Sequence, residues 1–479
     1  MEIINKTLSE YLYTFLHNVS VEIEKKNIDR TFTSFAFQLE VECCSLRLID
    51  RQSKCSKVFY FAGSGKSESF IAFNSIFSIS EKGEARFSTT EERVNSFFDK
   101  LIDNHGCFPG VSIPLFLGAA QFEYNGNNLL WNDYNDSEWF IPKYLVIKKG
   151  DENFIIINSV FAKGDSVSDS VNREMEELKR NVFDEDGLIS PESNTARILD
   201  TKIAADKDEK IALEKREWLL NVEKVIELIQ EGRISKVVLS RKKILNLKSE
   251  VELKTVFEKL YNSKNNCNKF LYKSGDSIFI GCSPERLFSI KKNILITEAV
   301  AGSTKRGLSI EEDERLSSIL LSSLKEKEEH QYVVDYLLKR LKKHCNGIEY
   351  ADKVRVKKTE QLQHLWLPIQ CTLKDGFSLF ALFNDLFPTP AVCGIPKEDA
   401  YKTISVLEDY QRGLFTGIIG WFNKSEADIA VGIRSALIKG NKCHLFAGCG
   451  IVAASNPDAE YNETELKMKT ILSILKDEN

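Results

Sequence analysis

Near the end of the chain, Glu460, Glu463 and Lys467 stand three and four residues apart, in Glu460-Tyr461-Asn462-Glu463-Thr464-Glu465-Leu466-Lys467. On an α-helix this spacing puts both carboxylates and the ammonium on one face. Met468, Ile471, Leu472 and Leu475 form an apolar stripe on the opposite face. A helix anchored by one face then offers two acids and a cation on the other, which suits a metal ion and a small anion. Just upstream, Gly448-Cys449-Gly450-Ile451-Val452 reads as a glycine-flexed turn leading into that helix.

Other residues could join this site. Lys236 lies in Ser235-Lys236-Val237-Val238-Leu239-Ser240-Arg241, and strand alternation puts it on one face with Val238 and Ser240. It is either an edge-strand lysine that discourages aggregation or a desolvated amine able to act as a general base. Glu285, in Ser283-Pro284-Glu285-Arg286, is either half of a surface pair or, if buried, a general acid. Ala299-Val300-Ala301-Gly302-Ser303-Thr304-Lys305-Arg306-Gly307 reads as a small-residue turn, able to form an anion nest with Ser303. Glu326, Glu329 and His330 sit in one long predicted helix over 311–344, where Lys325/Glu329 and Glu326/His330 have i,i+4 pairing distance. Glu329 and Glu463 together could hold Mg²⁺, which takes about one or two carboxylates plus waters and substrate oxygens. Zinc is not supported, since the histidines and cysteines lack paired ligand spacing. Arg434 falls in the apolar run Ile429–Leu437, read as one strand, where it needs either an internal acid or a bound carboxylate.

The elements that must position these groups follow from periodicity. Trp218, Val222, Val225, Ile226 and Ile229 mark a helix ended by Gly232. Strands are expected at 269–273, 277–281, 286–290 and 293–298. In the first half, helices are expected at Leu8–Leu16, Val94–Ile102 and near 172–182, and strands at Phe35–Val41, Lys57–Ala62 and Phe154–Ser159. Strand pairs between long helices indicate an α+β fold of antiparallel sheets clad by helices. A charged, turn-rich stretch over 163–208 separates a first half, 1–205, from a sharper-textured region, 210–479, and both are read as parts of one fold.

Composition narrows the function. The 479 residues are 43% hydrophobic and 28% charged with net charge −5, an ordinary globular balance with no basic tract for nucleic acid. No apolar run is long enough to span a membrane. Eleven cysteines without CxxC spacing, Cys43-Cys44 among them, and no signal peptide point to reduced thiols in the cytoplasm. Gly63-Ser64-Gly65-Lys66-Ser67 lacks the leading glycine of a phosphate loop and is read as a plain turn.

Taken in order, the segments resemble the chorismate-utilising enzymes. They are KVVLSR (236–241), SPERLF (283–288), EAVAGSTKRG (298–307), EH (329–330), QHL (363–365), PTPAVCG (388–394), RGLFTGIIGW (412–421), VGIR (431–434) and AGCGIV…EYNETELK (447–467). The resemblance runs from about Trp218 to Leu475 and implies the large two-sheet fold of anthranilate synthase component I. It implies that Lys236 activates water and that Glu285 protonates the departing C4 hydroxyl. Glu329 and Glu463 would be Mg²⁺ ligands, and Glu460 would hold a metal-bound water. Arg434, Lys467, His364, Ser303, Ala391 and the backbone at Gly448 and Gly450 would bind substrate. PTPA (388–391) and Val300 resemble the water-using isochorismate synthases, which supply menaquinone or siderophore synthesis, and a monomer is implied. Salicylate synthase, an ammonia-using anthranilate or aminodeoxychorismate synthase, and a non-catalytic chorismate-binding protein are the alternatives. Phe387 and Phe415 depart from a histidine and a tyrosine usual in the family.

Overall fold

A strand such as Lys57–Ala62 has two apolar faces, because its alternate side chains enter different cores. Val58 and Tyr60 pack with helices on one side, while Phe59 and Phe61 pack against a second sheet on the other. That double burial accounts for the near-continuous apolar strands and gives four layers: helices, sheet, sheet, helices. The computed structural model describes residues 2–40, 45–124, 129–183, 208–247, 249–263 and 266–475. Cys43-Cys44 and the acidic turn at Asp184–Gly187 lie outside them.

Among the described residues one sheet has twelve strands and the other ten, antiparallel at nearly every pairing; strand Arg30–Leu39 runs parallel to Leu101–Asp103. Each sheet draws on both ends of the chain. Lys57–Ala62 pairs with Asn268–Ser274 in the larger sheet, and Phe116–Ala120 pairs with Ile418–Phe422 in the smaller. The core between the sheets includes Phe61, Phe70, Phe140, Phe279, Leu437 and Trp421. Helices Glu2–Lys26, Val167–Asn181, Leu253–Asn262 and Pro457–Leu475 cover the outer face of the larger sheet. Arg86–Phe98, Leu324–Leu341 and Leu379–Leu386 cover that of the smaller. No helix among the described residues is long and apolar enough to cross a membrane.

Several local expectations change. The 311–344 helix is two, Ile310–Ser322 and Leu324–Leu341, because the Ser323 side chain caps the second by accepting from the Glu326 N–H. The Ile429–Leu437 run is likewise two strands, Ala427–Val431 in the smaller sheet and Ser435–Lys439 in the larger, and Arg434 at φ 50° turns the chain between them. Both glycine-rich turns are strand. Gly448 and Gly450 lie within Lys442–Ile451, and 299–305 lies within Ile294–Lys305, which bulges at Gly302 with φ 75°. The Val94–Ile102 helix ends at Phe98, and Leu101–Asp103 is a strand. Gly63–Lys66 is the expected turn, closed by the Lys66 N–H donating to the Gly63 carbonyl.

The reduced-thiol expectation fails at one pair. Cys267 and Cys282 form a disulfide, because the hairpin of Asn268–Ser274 and Ser277–Ser283 brings their Cα atoms to 5.6 Å. Nothing in the spacing of the eleven cysteines signals that hairpin contact.

Candidate active site

The two sheets part at one end around a cavity lined by both. Two chain passages between the sheets form its floor. Strand Ser277–Ser283 in the larger sheet leads through Pro284-Glu285 to Arg286–Lys291 in the smaller, and Gly432–Arg434 makes the return passage. The passages are stitched together: the Val431 N–H donates to the Glu285 carbonyl, and the Cys282 N–H donates to the Arg434 carbonyl. Glu285, Ser303, Glu329, His364, Ala391, Arg434, Gly448, Gly450 and Lys467 all line the cavity. Lys236 and Glu463 lie just behind that lining, against Glu329 and Ser303, and the Glu460 carbonyl lies 3.7 Å from Cys449 Sγ.

Lys236 is fully buried, and its strand is flanked by Lys442–Ile451 and Gly394–Ile395. It is therefore no edge lysine. Its Nζ lies 3.1 Å from Glu329 Oε1 yet makes no well-aligned hydrogen bond. Gly450 permits this approach, since a Cβ there would meet Glu329 Oε1 at 2.2 Å and Lys236 Cε at 2.8 Å.

Glu285 is buried, and Arg286 pairs with Asp428 at 3.0 Å, so the surface-pair alternative does not hold. The Thr389 hydroxyl donates to Glu285 Oε1 at 3.5 Å, and the Glu285 N–H donates to Ser283 Oγ at 3.2 Å. Burial pushes the Glu285 carboxyl up to about 7; nearby Glu298 adds to this, and Lys236 and Lys357 oppose it. A carboxylic acid in that state can deliver a proton near neutral pH.

Beyond Lys236 lies an acidic end. Glu326 and Glu329 come from helix Leu324–Leu341, and Glu460 and Glu463 from Pro457–Leu475. Lys325 donates to Glu460 at 2.6 Å, the Ser303 N–H to Glu326 at 3.0 Å, and Ser303 Oγ to Glu463 at 2.9 Å. Burial, then Glu329 and Glu463, raise Glu326 to about 7. Burial also pushes Glu463 up, but Lys467 at 2.7 Å, with Lys325 and Ser303, holds it down, so it is ionised. Glu460 Oε2 is buried without a hydrogen-bond partner. Mutually repelling carboxylates with a spare buried oxygen fit a hard divalent cation. Among the described residues, no three His, Cys, Asp or Glu donors converge closely enough to hold a metal alone, so waters or substrate must complete any shell.

Cationic groups adjoin these carboxylates. Arg434 Nη1 is buried without a partner, which disfavours the internal-acid alternative. Burial lowers its guanidinium to about 10, against Glu463 and Glu285, so it stays charged at neutral pH. Burial, then Arg434 and Lys467, depress the His364 imidazole well below its usual value, leaving it neutral with Nε2 unpaired. Lys467 donates to the Gly448 carbonyl at 2.8 Å as well as pairing with Glu463. Val300, Val392, Phe415, Ile433 and Phe446 form an apolar belt in the lining. Phe415 stacks on Phe446 at 5.1 Å, whereas Phe387 is core, packed edge-on to Phe87, and does not line the cavity.

Sequence reasoning missed Thr389, Glu298 and Lys357 beside Glu285, and it gave Glu326 and Lys325 local helix partners that are not their principal ones. PTPA contains Thr389 and EAVAGSTKRG opens on Glu298, so those two motifs were available signals; Lys357 meets the site only through strand register.

The sequence profile of the family described as "Chorismate binding enzyme" matches residues 18–476. The chain is 31% identical over 366 residues to "Isochorismate synthase MenF" of Bacillus subtilis (strain 168), covering 76% of this chain and 74% of that protein. It is 29% identical over 408 residues to "Salicylate biosynthesis isochorismate synthase" of Pseudomonas aeruginosa, covering 85% and 82%. In structure it is similar to MenF, the menaquinone-specific isochorismate synthase from Escherichia coli, with TM-score 0.74 and 21% identity, covering 97% and 99%.

Proposed function

We propose, from the premise that the chain belongs to the chorismate-binding enzyme family, that it is an isochorismate synthase. It converts chorismate to isochorismate by adding water at C2 and expelling the C4 hydroxyl across the conjugated ring. The observation that carries this reading is one cavity in which a proton-holding carboxyl, Glu285, shares the wall with Glu329, whose carboxylate meets the buried amine of Lys236.

Water is a poor nucleophile and hydroxide a poor leaving group, so each needs a proton moved. Lys236 takes the proton from the attacking water, and Glu285 gives one to the departing oxygen. Each such positioned group contributes about 10²–10⁴-fold. Chorismate is a dianion, and Arg434, with His364 and Lys467 beside it, receives a carboxylate. Gly448, Gly450, Ser303 and Ala391 shape the walls so that the ring can approach closely. Glu329 and Glu463 would hold Mg²⁺, with Glu460 orienting a water on it. When bound, the ion would neutralise carboxylate charge at the acidic end. The protein acts as a cytoplasmic monomer, with isochorismate passing to menaquinone or siderophore synthesis.

The test is product analysis from chorismate with Mg²⁺ and no ammonia. Isochorismate as sole product, with turnover lost in EDTA and in Lys236→Ala, is the expected result. Salicylate plus pyruvate, or no consumption of chorismate, would overturn it.

A further inference from the structure

The turn that carries Glu285 is gripped from outside the cavity. Glu298, on strand Ile294–Lys305, accepts from the Arg286 N–H at 3.2 Å, from the Trp366 indole at 2.6 Å, and from Lys357 at 2.9 and 2.8 Å. Lys357, on strand Arg355–Lys358, also donates to the Pro284 carbonyl at 2.7 Å. The two side chains thus hold the residues immediately before and after Glu285. Both are largely buried, with side-chain exposures of 19% for Lys357 and 12% for Glu298, and neither lines the cavity.

We propose that the Glu298–Lys357 pair is a positioning clamp for Glu285, fixing the aim of its carboxyl and balancing the charge around it. This rests on the reading of Glu285 as the proton donor. The charged groups facing Glu285 are Lys236 and Lys357, which favour its ionised form, Glu298, which favours its protonated form, and Arg434 across the cavity floor. The Thr389 hydroxyl is its other polar neighbour. Glu298 and Lys357 therefore act on the same proton in opposite directions, while gripping the same turn.

That opposition supplies the test. The pH dependence of kcat for chorismate conversion with Mg²⁺ should show an alkaline limb reporting loss of the Glu285 proton. Lys357→Met leaves Glu298 uncompensated and should move that limb up by about one unit. Glu298→Gln leaves Lys357 uncompensated and should move it down by a similar amount. Lys357→Arg, which keeps the charge, should restore the native limb. A merely structural defect lowers turnover or melting temperature without moving the limb in opposite senses. Should Lys357→Met fail to fold, Lys357→Gln makes the same test. Limbs that stay in place, or move together, overturn the clamp. Glu285→Gln is run in parallel. If it abolishes turnover while the clamp variants leave the limb unmoved, the clamp alone fails; if it keeps native turnover and limb, the proton-donor reading fails with it.

Discussion

The two passages between the sheets are neighbours stitched by reciprocal hydrogen bonds, yet they follow opposite plans. At Ser283–Arg286 the acid is fully furnished: Thr389 bonds its carboxyl, Ser283 its backbone, and Glu298 and Lys357 the residues on either side. At Gly432–Arg434 the guanidinium is left short of partners, with Nη1 buried and unpaired on a backbone held at φ 50°. The contrast accords with the roles proposed for Glu285 and Arg434. A proton donor works from one geometry that exists before the substrate arrives. A receptor for a carboxylate must stay vacant, because an internal acid would compete with the ligand.

The sharpest way to break this contrast is to damage both passages and see which kinetic constant moves. Glu285→Gln should lower kcat about 10²–10⁴-fold with KM little changed. Arg434→Lys keeps the charge but loses the planar fork, and should raise KM roughly 10–100-fold with a smaller loss in kcat. If both variants act on the same constant, the two passages do not differ in role.

Gly450→Ala tests the third party, the Lys236–Glu329 contact. A methyl group would displace both side chains, and kcat should fall on the order of tenfold or more while melting temperature moves little.

The Glu285 proton also affects stability. Its carboxyl is raised from 4.5 to about 7 on folding, so the stabilisation of the protonated form is fully present below pH 4.5 and is lost as pH rises through 7. Over that window the native protein should lose up to about 3 kcal/mol that Glu285→Gln does not, measurable by denaturation across pH. The smallest effect is expected at Phe415→Tyr. Adding a hydroxyl to the apolar belt should lower KM by only a few-fold, reflecting one hydrogen bond of about 1 kcal/mol.

The strands at 57–62, 269–273, 277–281 and 286–290 and the C-terminal helix were legible, because their apolar periods are uninterrupted. The motif residues were also legible, down to the nine that line the cavity. What was hidden is where one apolar run stops being one element. Ile429–Leu437 is apolar on both sides of Gly432–Arg434, so hydropathy reads through a passage between sheets that only the positive φ of Arg434 reveals. The helix break at Ser323 is a single capping hydroxyl within a sequence of good helix formers. Glu298 and Lys357 lie 59 residues apart and meet because the strand Leu362–Leu373 pairs with both of their strands. No local pattern encodes that meeting, and the same holds for Lys325, which passes over its helix neighbours to reach Glu460.

The interleaving of early and late strands has a consequence for how the chain comes into being. As synthesis proceeds, strand Lys57–Ala62 waits for Asn268–Ser274, and Phe116–Ala120 waits for Ile418–Phe422. At about 5–20 residues per second, those phenylalanine-rich edges stay open on the ribosome for tens of seconds. Open edges of that kind template misassembly between nascent chains. The molecule is therefore most vulnerable while its sheets are incomplete, and the helix that completes its acidic end is made only after all the described strands.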